Sequence, residues 1–246
     1  HALGCSAIAL ATALAAPASA QSFQGTANIT FGDVGVFEGS GTTDISISTS
    51  TAVLDWTPND TAISAGTPIV WQPAGTTATF TSTIGDFAIL NRIVPTDTSR
   101  PIVFSGTVIS QILASPAPVR GGTVFFYSPG GIVLSSSAVF DVGNLGLTTA
   151  PPVVDGNGGW YIGNTVQFDP SVSGRAITIQ PGAQINAPVE SSYVAAFAPR
   201  IEQSGTIAVN GQAALIAGDV APGLGVKLTN GRPEPSAVVP SSPVRV

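Results

Sequence analysis

Scattered carboxylates are the only abundant groups in this 246-residue chain that could run acid–base chemistry or hold a divalent cation. Asp86, Asp97, Asp141, Asp155, Asp169, Glu190, Glu202 and Asp219 stand as singletons, with no Asp-Asp or Asp-x-Asp pair among them. Arg175 and Arg200 show no obvious paired carboxylate along the sequence. The single His and single Cys are His1 and Cys5, both in a segment that reads as removed during export. A mature chain lacking both residue types has no Ser-His-Asp triad, no Cys-His pair, no His or Cys zinc site and no disulfide. Asp155-Gly156-Asn157-Gly158-Gly159 starts like a calcium loop, but Val166 occupies the position where an EF-hand needs Glu, so a surface turn is expected. Trp56, Trp71 and Trp160 could stack on sugars if exposed. In a chain with only 7% aromatic residues they read better as plugs of a cap and core. The expectation is a non-enzymatic protein without cofactor or metal.

The elements that would carry these residues follow from composition. Twenty-eight Gly and 20 Pro break the chain about once in five residues, which disfavours helices. Val, Ile and Thr make up more than a quarter of the chain, and their β-branched side chains suit pleated strands. Charged residues are only 9%, far below the roughly 25% of ordinary soluble domains. Net charge is −6, with an acidic body through residue 219 and a slightly basic end. Without a basic stripe to neutralise phosphates, nucleic acid is not an expected partner.

Residues 7–16 form an uncharged, Ala-rich apolar run, followed by Pro17 and the small-residue site Ala18-Ser19-Ala20 before Gln21. This is the pattern of a secretory signal peptide over 1–20, cleaved between Ala20 and Gln21 with Ala18 and Ala20 as the small residues. The basic start of such a peptide is missing and the chain contains no Met, so the expectation is an N-terminally incomplete sequence. Residues 220–246 are Pro-rich without apolar periodicity and read as a disordered tail or a truncated continuation. No further apolar run of about 18 residues occurs, so no transmembrane span is expected.

Between the ends, apolar and small polar residues alternate. Ile45 and Ile47, Ile177 and Ile179, and Ile207 and Val209 each put one apolar face on a short strand. Trp160, Ile162, Val166 and Phe168 are expected to share such a face, with Asn164 inward between them. A loose echo, Ser105-Gly106-Thr107-Val108, Gly121-Gly122-Thr123-Val124 and Ser204-Gly205-Thr206-Ile207, suggests stacked coils of a β-solenoid. A sandwich or barrel is the competing pattern. Residues 21–80 are more irregular, with Trp56, Trp71 and Phe80 as bulky anchors, and suit a cap over the open end of the first coil.

An ordered set of segments then stands out: Phe87–Val94 containing Asn91-Arg92, Ile102–Ser110, Gly122–Val133 with the turn Ser128-Pro129-Gly130-Gly131, and Ser137–Thr149. In this order they resemble the N-terminal two-partner secretion domain of the filamentous haemagglutinin family. Ile179–Asn186 and Ser192–Ile207 are similar to that family's later coils. The resemblance runs over about residues 22–219. It departs at the turn, where Ser128-Pro129-Gly130-Gly131 stands for an Asn-Pro-Asn-Gly motif.

This resemblance implies an all-β, right-handed parallel β-helix with an N-terminal β-rich cap. It implies an outer-membrane β-barrel transporter with periplasmic domains as partner, and secretion to the surface or medium of a Gram-negative bacterium via the periplasm. The domain would direct export of a large adhesin-like exoprotein and nucleate its folding, with host or surface glycans bound through downstream regions. Asn91, Arg92, Ser128, Pro129, Gly130 and Gly131 become candidates for transporter recognition or for the motif turn. On this reading the chain divides into the signal peptide 1–20, a cap section 21–80, β-helix coils 81–219 and the tail 220–246. The alternative is a cell-surface β-helix that binds or cleaves polysaccharide with its carboxylates. A self-transporting passenger would instead need a C-terminal barrel.

Overall fold

The computed structural model describes residues 21–59, 66–155, 159–169, 175–218 and 224–237; the signal segment lies outside them. Every regular element among the described residues is a strand. The chain opens with β1 (Gly25–Phe31) and β2 (Val34–Gly39), then winds into coils. The first coil comprises β3 (Thr42–Ile47), β4 (Thr51–Pro58) and β5 (Ile69–Gln72), and the second β6 (Thr77–Ser82), β7 (Ala88–Ile93) and β8 (Ile102–Phe104). The third has β9 (Thr107–Ile112), a short β10 (Val119–Arg120), β11 (Thr123–Tyr127) and β12 (Ile132–Leu134). The fourth has β13 (Val139–Asp141), β14 (Asn144–Thr148), an outward excursion bearing β15 (Thr165–Gln167), and β16 (Ile177–Ile179). In the fifth, β17 (Gln184–Ala198) runs across two faces before β18 (Ile201–Gln203), and β19 (Thr206–Ala217) repeats the long strand. A final hairpin is β20 (Leu224–Thr229) and β21 (Arg232–Ala237).

Apart from the short β10, which pairs antiparallel with β9, each coil strand pairs in parallel with its counterpart one turn away, which makes the fold a parallel β-helix. On face A, β3, β6, β9, β13 and the first parts of β17 and β19 stack in order. Face B stacks β4, β7, β11, β14 and the second parts of the same two strands. Face C stacks β5, β8, β12, β16 and β18. Because side chains alternate along a strand, one residue in two points inward, and identical positions from successive coils form columns. Ala78, Val108, Phe140, Ile185 and Ile207 are one such column in register. Ile102, Ile132, Ile177 and Ile201 are another.

The Ser-Gly-Thr echo has a structural cause. Thr107 and Thr206 both begin a face A strand, and the glycine before each turns the corner against the previous coil's backbone. A Cβ on Gly106 would lie 2.5 Å from the Thr76 carbonyl oxygen, and one on Gly205 2.7 Å from that of Ala183. No side chain fits there.

The N-terminal end is closed by reversal of strand direction. β1 pairs antiparallel with β4, and β2 antiparallel with β3, so the outermost hydrogen-bonding edges of faces A and B are both covered. Within the section 21–80 the antiparallel cap is therefore residues 21–39, and parallel stacking begins at Thr42. Phe23 enters the bore and stacks on Trp71 with ring centroids 4.0 Å apart, edge-on to Trp56. The anchors Trp56, Trp71 and Phe80 are all fully buried.

At the other end, the inward residues Ile207 and Val209 are only half-buried and Leu215 is 41% exposed, because no described coil follows β19. Two local expectations differ from the structure. Gly163 and Asn164 both take left-handed backbone in a tight turn closed by the Ile162–Thr165 bridge, so Ile162 is exposed and Asn164 lies at the surface rather than inward. Within the segment read as a tail, β20 and β21 form a hairpin that pairs with β15 through β20; residues 219–223 and 238–246 lie outside the described residues.

Candidate functional site

The motif residues converge on the junction of faces B and C. Asn91 and Arg92 on β7 pair in register with Phe126 and Tyr127 on β11, and Tyr127 leads directly into Ser128. The resulting site has an inner and an outer half.

Asn91 belongs to the inner half. It occupies an inward column between Leu54 and Phe126 and is fully buried. A lone amide among apolar neighbours must find partners, and this one does. Its Oδ1 accepts the Trp56 indole N–H at 3.0 Å and its Nδ2 donates to the Phe125 carbonyl at 3.2 Å. In the folded coil the Asn91 side chain thus holds Trp56 and offers nothing to an external partner. Asn91→Ala strands the indole N–H and opens a small cavity. We expect it to lower stability by about 2 kcal/mol, read from the urea midpoint. Combined with Trp56→Phe the losses should fall short of additive by at least about 0.5 kcal/mol.

Arg92 is the outer half. Its guanidinium pairs with Asp55 one coil earlier, with Nε 2.5 Å from Oδ1 and Nη2 2.7 Å from Oδ2. Both side chains remain about one-third exposed, so this bidentate pair is a modest contributor to stability and is accessible from outside.

The turn is tightly built. Gly131 N–H donates to the Ser128 carbonyl at 3.3 Å, Ser128 N–H to the Thr148 carbonyl at 3.1 Å, and Ile102 N–H to the Gly131 carbonyl at 3.0 Å. Ser128 is fully buried and its Oγ has no hydrogen-bond partner, while Pro129 is half-buried. Gly130 is pressed onto the previous coil, where a Cβ would lie 1.9 Å from the Arg100 carbonyl oxygen. Gly131 adopts φ 109°, a left-sided conformation that favours Gly. An Asn at position 130 does not fit this turn, which gives a physical reason for the departure from the Asn-Pro-Asn-Gly motif.

Of the cleavage residues, Ala18 and Ala20 lie outside the described residues. Gln21 is the first described residue, and its Nε2 donates to the carbonyls of Phe23 and Gly25.

The carboxylates serve local structure. Asp141 pairs with Arg120 at 2.6 Å, and Glu202 with Arg200 at 3.3 Å, so Arg200 does have a carboxylate partner. Asp155 Oδ1 accepts the Gly159 N–H at 2.7 Å; residues 156–158 lie outside the described residues. Asp97 is held below the usual carboxylate range by hydrogen bonds from the Ser99 side chain and backbone. Among the described residues, no group of three His, Cys, Asp or Glu is placed to hold a metal ion. Among the described residues no helix is long and apolar enough to cross a membrane.

A second core lies outside the coils, beyond what alternation along single strands indicates. The outward residues of face B are apolar: Val53, Leu90, Phe125, Ala195 and Phe197 pack with Trp160, Val166 and Phe168 of the excursion after β14. Trp160 is 2% exposed, meets Phe125 at 5.3 Å, and donates its indole N–H to the Ala52 carbonyl at 3.0 Å. Gly146 leaves room for this layer, since a Cβ there would lie 2.2 Å from the Phe125 ring. The signal was present in the unbroken run Val124-Phe125-Phe126-Tyr127. A strand with no alternation is buried on both sides.

Tyr193, 4% exposed in this outer layer, has its phenol pushed well above its ordinary range, chiefly by burial. A raised folded pKa means that above about pH 10 the unfolded chain loses this proton while the folded chain keeps it. Stability should therefore fall as pH rises past 10. Tyr193→Phe should flatten that fall, measured by urea denaturation at pH 8 and pH 11.

Neither the known protein-family models nor the curated protein sequences match the chain. Among solved structures it is similar to the HMW1 secretion domain from Haemophilus influenzae, with TM-score 0.62 and 16% identity over 88% of this chain. The match spans about half of that protein, 49% of its length, and at this identity it shows a shared fold, the parallel β-helix.

Proposed function

We propose that this chain is the N-terminal secretion and folding-nucleation domain of a large exported adhesin-like protein, recognised by an outer-membrane β-barrel transporter with periplasmic domains. The observation that carries this reading is the agreement of order. The motif segments fall in chain order on the coil strands: β7, then β8 and β9, then, past the short β10, β11, the Ser128–Gly131 turn and β12, then β13 and β14. The fold they build is similar to that of a protein described as a secretion domain. A chain low in charge, free of internal cysteines after Cys5 and rich in β-branched residues suits passage through a narrow pore and refolding without an energy source. The nucleation half of the proposal uses the last coil. A further coil laid on β18 and β19 would continue all three ladders and cover Ile207, Val209 and Leu215. One-dimensional stacking of this kind propagates from a stable end.

The motif residues take different parts. Asn91 and Gly130 shape the coil, whereas Arg92, at the outer surface beside the turn, is available to a transporter. Deleting residues 21–149 is the test: arrival in the periplasm should persist while release to the medium is lost. Continued release would refute the proposal. The competing polysaccharide enzyme is disfavoured because Asp141 and Glu202 are tied to arginines and Asp155 to a turn amide.

A further inference from the structure

A cleft of about 810 Å³ lies between the start of face B and the turn tips of the outer sheet, a size typical of ligand sites. Its floor belongs to the coils. Thr123 and Asn144 are directly paired across one rung, and Tyr193 and Gln212 across another. Asn144 locks the rungs together, its Nδ2 donating to Thr123 Oγ1 at 3.1 Å and its Oδ1 accepting the Tyr193 N–H at 2.9 Å. Tyr161 stands over the floor with its hydroxyl 3.3 Å from that of Tyr193. At one rim Arg232 Nε donates to Gln212 Oε1 at 3.1 Å, and at another Asp86 accepts the Gly122 N–H.

The backbone around this cleft is unusual. Three non-glycine residues among the described ones have left-handed φ, and all three line it: Asn164 at 59°, Ser191 at 61° and Asn230 at 49°. For Asn164 and Asn230 the tight turns Gly163-Asn164 and Asn230-Gly231 account for the conformation. The Asn230 N–H donates to the Asn164 carbonyl at 3.0 Å, which clamps the two turn tips together. Ser191 has no such excuse in its residue type. It sits where β17 passes from face A to face B, at the register break between Ala187 and Ser192. Left-handed backbone in a residue other than Gly or Asn, at a concave surface, points toward function. The same cleft gathers two clamped turns, one left-handed corner and a polar column of Thr123, Asn144, Tyr193 and Gln212.

Its chemistry is selective. Among the described lining residues one guanidinium and one carboxylate balance, and the other polar groups are amides and hydroxyls that mostly both donate and accept hydrogen bonds. An apolar ligand would strip water from these groups without replacing it, and an anion would find no excess of positive charge. A ligand whose own hydroxyls donate and accept in turn fits best. The geometry points to a binding site for a neutral oligosaccharide, held by the Asn144–Gln212 floor and Tyr161. Among the described residues Asp86 is the one carboxylate lining it, so the site is assigned to binding and not to cleavage by a carboxylate pair. This site is independent of the secretion role.

Isothermal titration of the purified protein with cellotetraose and with maltotetraose, alongside an array of neutral and sialylated glycans, tests it. At least one neutral glycan should bind with a Kd below about 1 mM. Tyr161→Phe combined with Gln212→Ala should weaken that binding at least tenfold with an unchanged unfolding midpoint, and sialylation should not strengthen it. Absence of neutral-glycan binding, equal binding by the double variant, or preference for the sialylated forms would each overturn the assignment.

Discussion

Gly130→Asn is expected to cost more than about 4 kcal/mol, or to prevent folding altogether, although an Asn is what the resembling motif carries at this position. The cause is space. The Arg100 carbonyl oxygen lies 1.9 Å from where a Cβ would stand, and the Arg100 carbon and nitrogen lie at 2.5 and 2.9 Å. All three are backbone atoms of the preceding coil, held in place by neighbouring ladder bonds such as Ile102 N–H to the Gly131 carbonyl. They cannot swing aside as a side-chain tip would. Relief would require the two coils to part at the Ser128–Gly131 turn, breaking the step from face B to face C. Gly130→Ala should behave nearly as badly, whereas Pro129→Ala, at a half-buried position, should cost no more than about 1 kcal/mol. Urea denaturation of the three variants gives the comparison, and a Gly130→Asn protein of ordinary stability would show that the turn is not packed as described.

Phe23→Ala should cost about 3–5 kcal/mol, as for other buried aromatic truncations. Phe23 is fully buried and touches five aromatic rings: Trp56, Trp71, Phe80, Phe104 and Phe126. Its truncation leaves a cavity among large, rigid rings that cannot easily collapse. The segment around it is also what ties the cap down. Phe23 N–H donates to Thr43 Oγ1 at 3.0 Å, Gln24 N–H to the Trp71 carbonyl at 2.7 Å, and Gln72 Nε2 to Ser22 Oγ at 3.0 Å. Loosening the cap exposes the edges of β3 and β4, so the variant should aggregate as well as melt earlier. Phe23→Leu, which keeps most of the volume, should lose less than half as much. Thermal unfolding with light scattering reads both effects, and an unchanged melting temperature for Phe23→Ala would contradict the packing.

The strands were legible because their physics is local, while their winding into coils came from the family resemblance. Alternation at Ile45/Ile47 and Ile177/Ile179, with Gly and Pro between strands, is enough to indicate strands with one apolar side. The Ser-Gly-Thr echo marks the same corner in different coils, and Gly106 and Gly205 show why Gly recurs there. Legibility failed where a residue's role depends on a distant partner. Asn91 reads in sequence only as a member of the motif, and its buried partner Trp56 lies 35 residues earlier. Trp160 and Phe168 look like members of one more alternating strand, but a left-handed Gly163-Asn164 turn reverses the chain between them, and their partners are Phe125 and Phe197. The cleft combines Asp86 with Arg232, and nothing short of the coil stacking could have joined them.

The most direct test of the central proposal is release of a reporter fused after residue 246, in cells that carry a candidate barrel transporter, with that transporter intact or lacking its periplasmic domains. Reporter is expected in the medium in the first case and held in the periplasm in the second. Equal release from both, or a folded reporter fusion held in the periplasm of both, would contradict it.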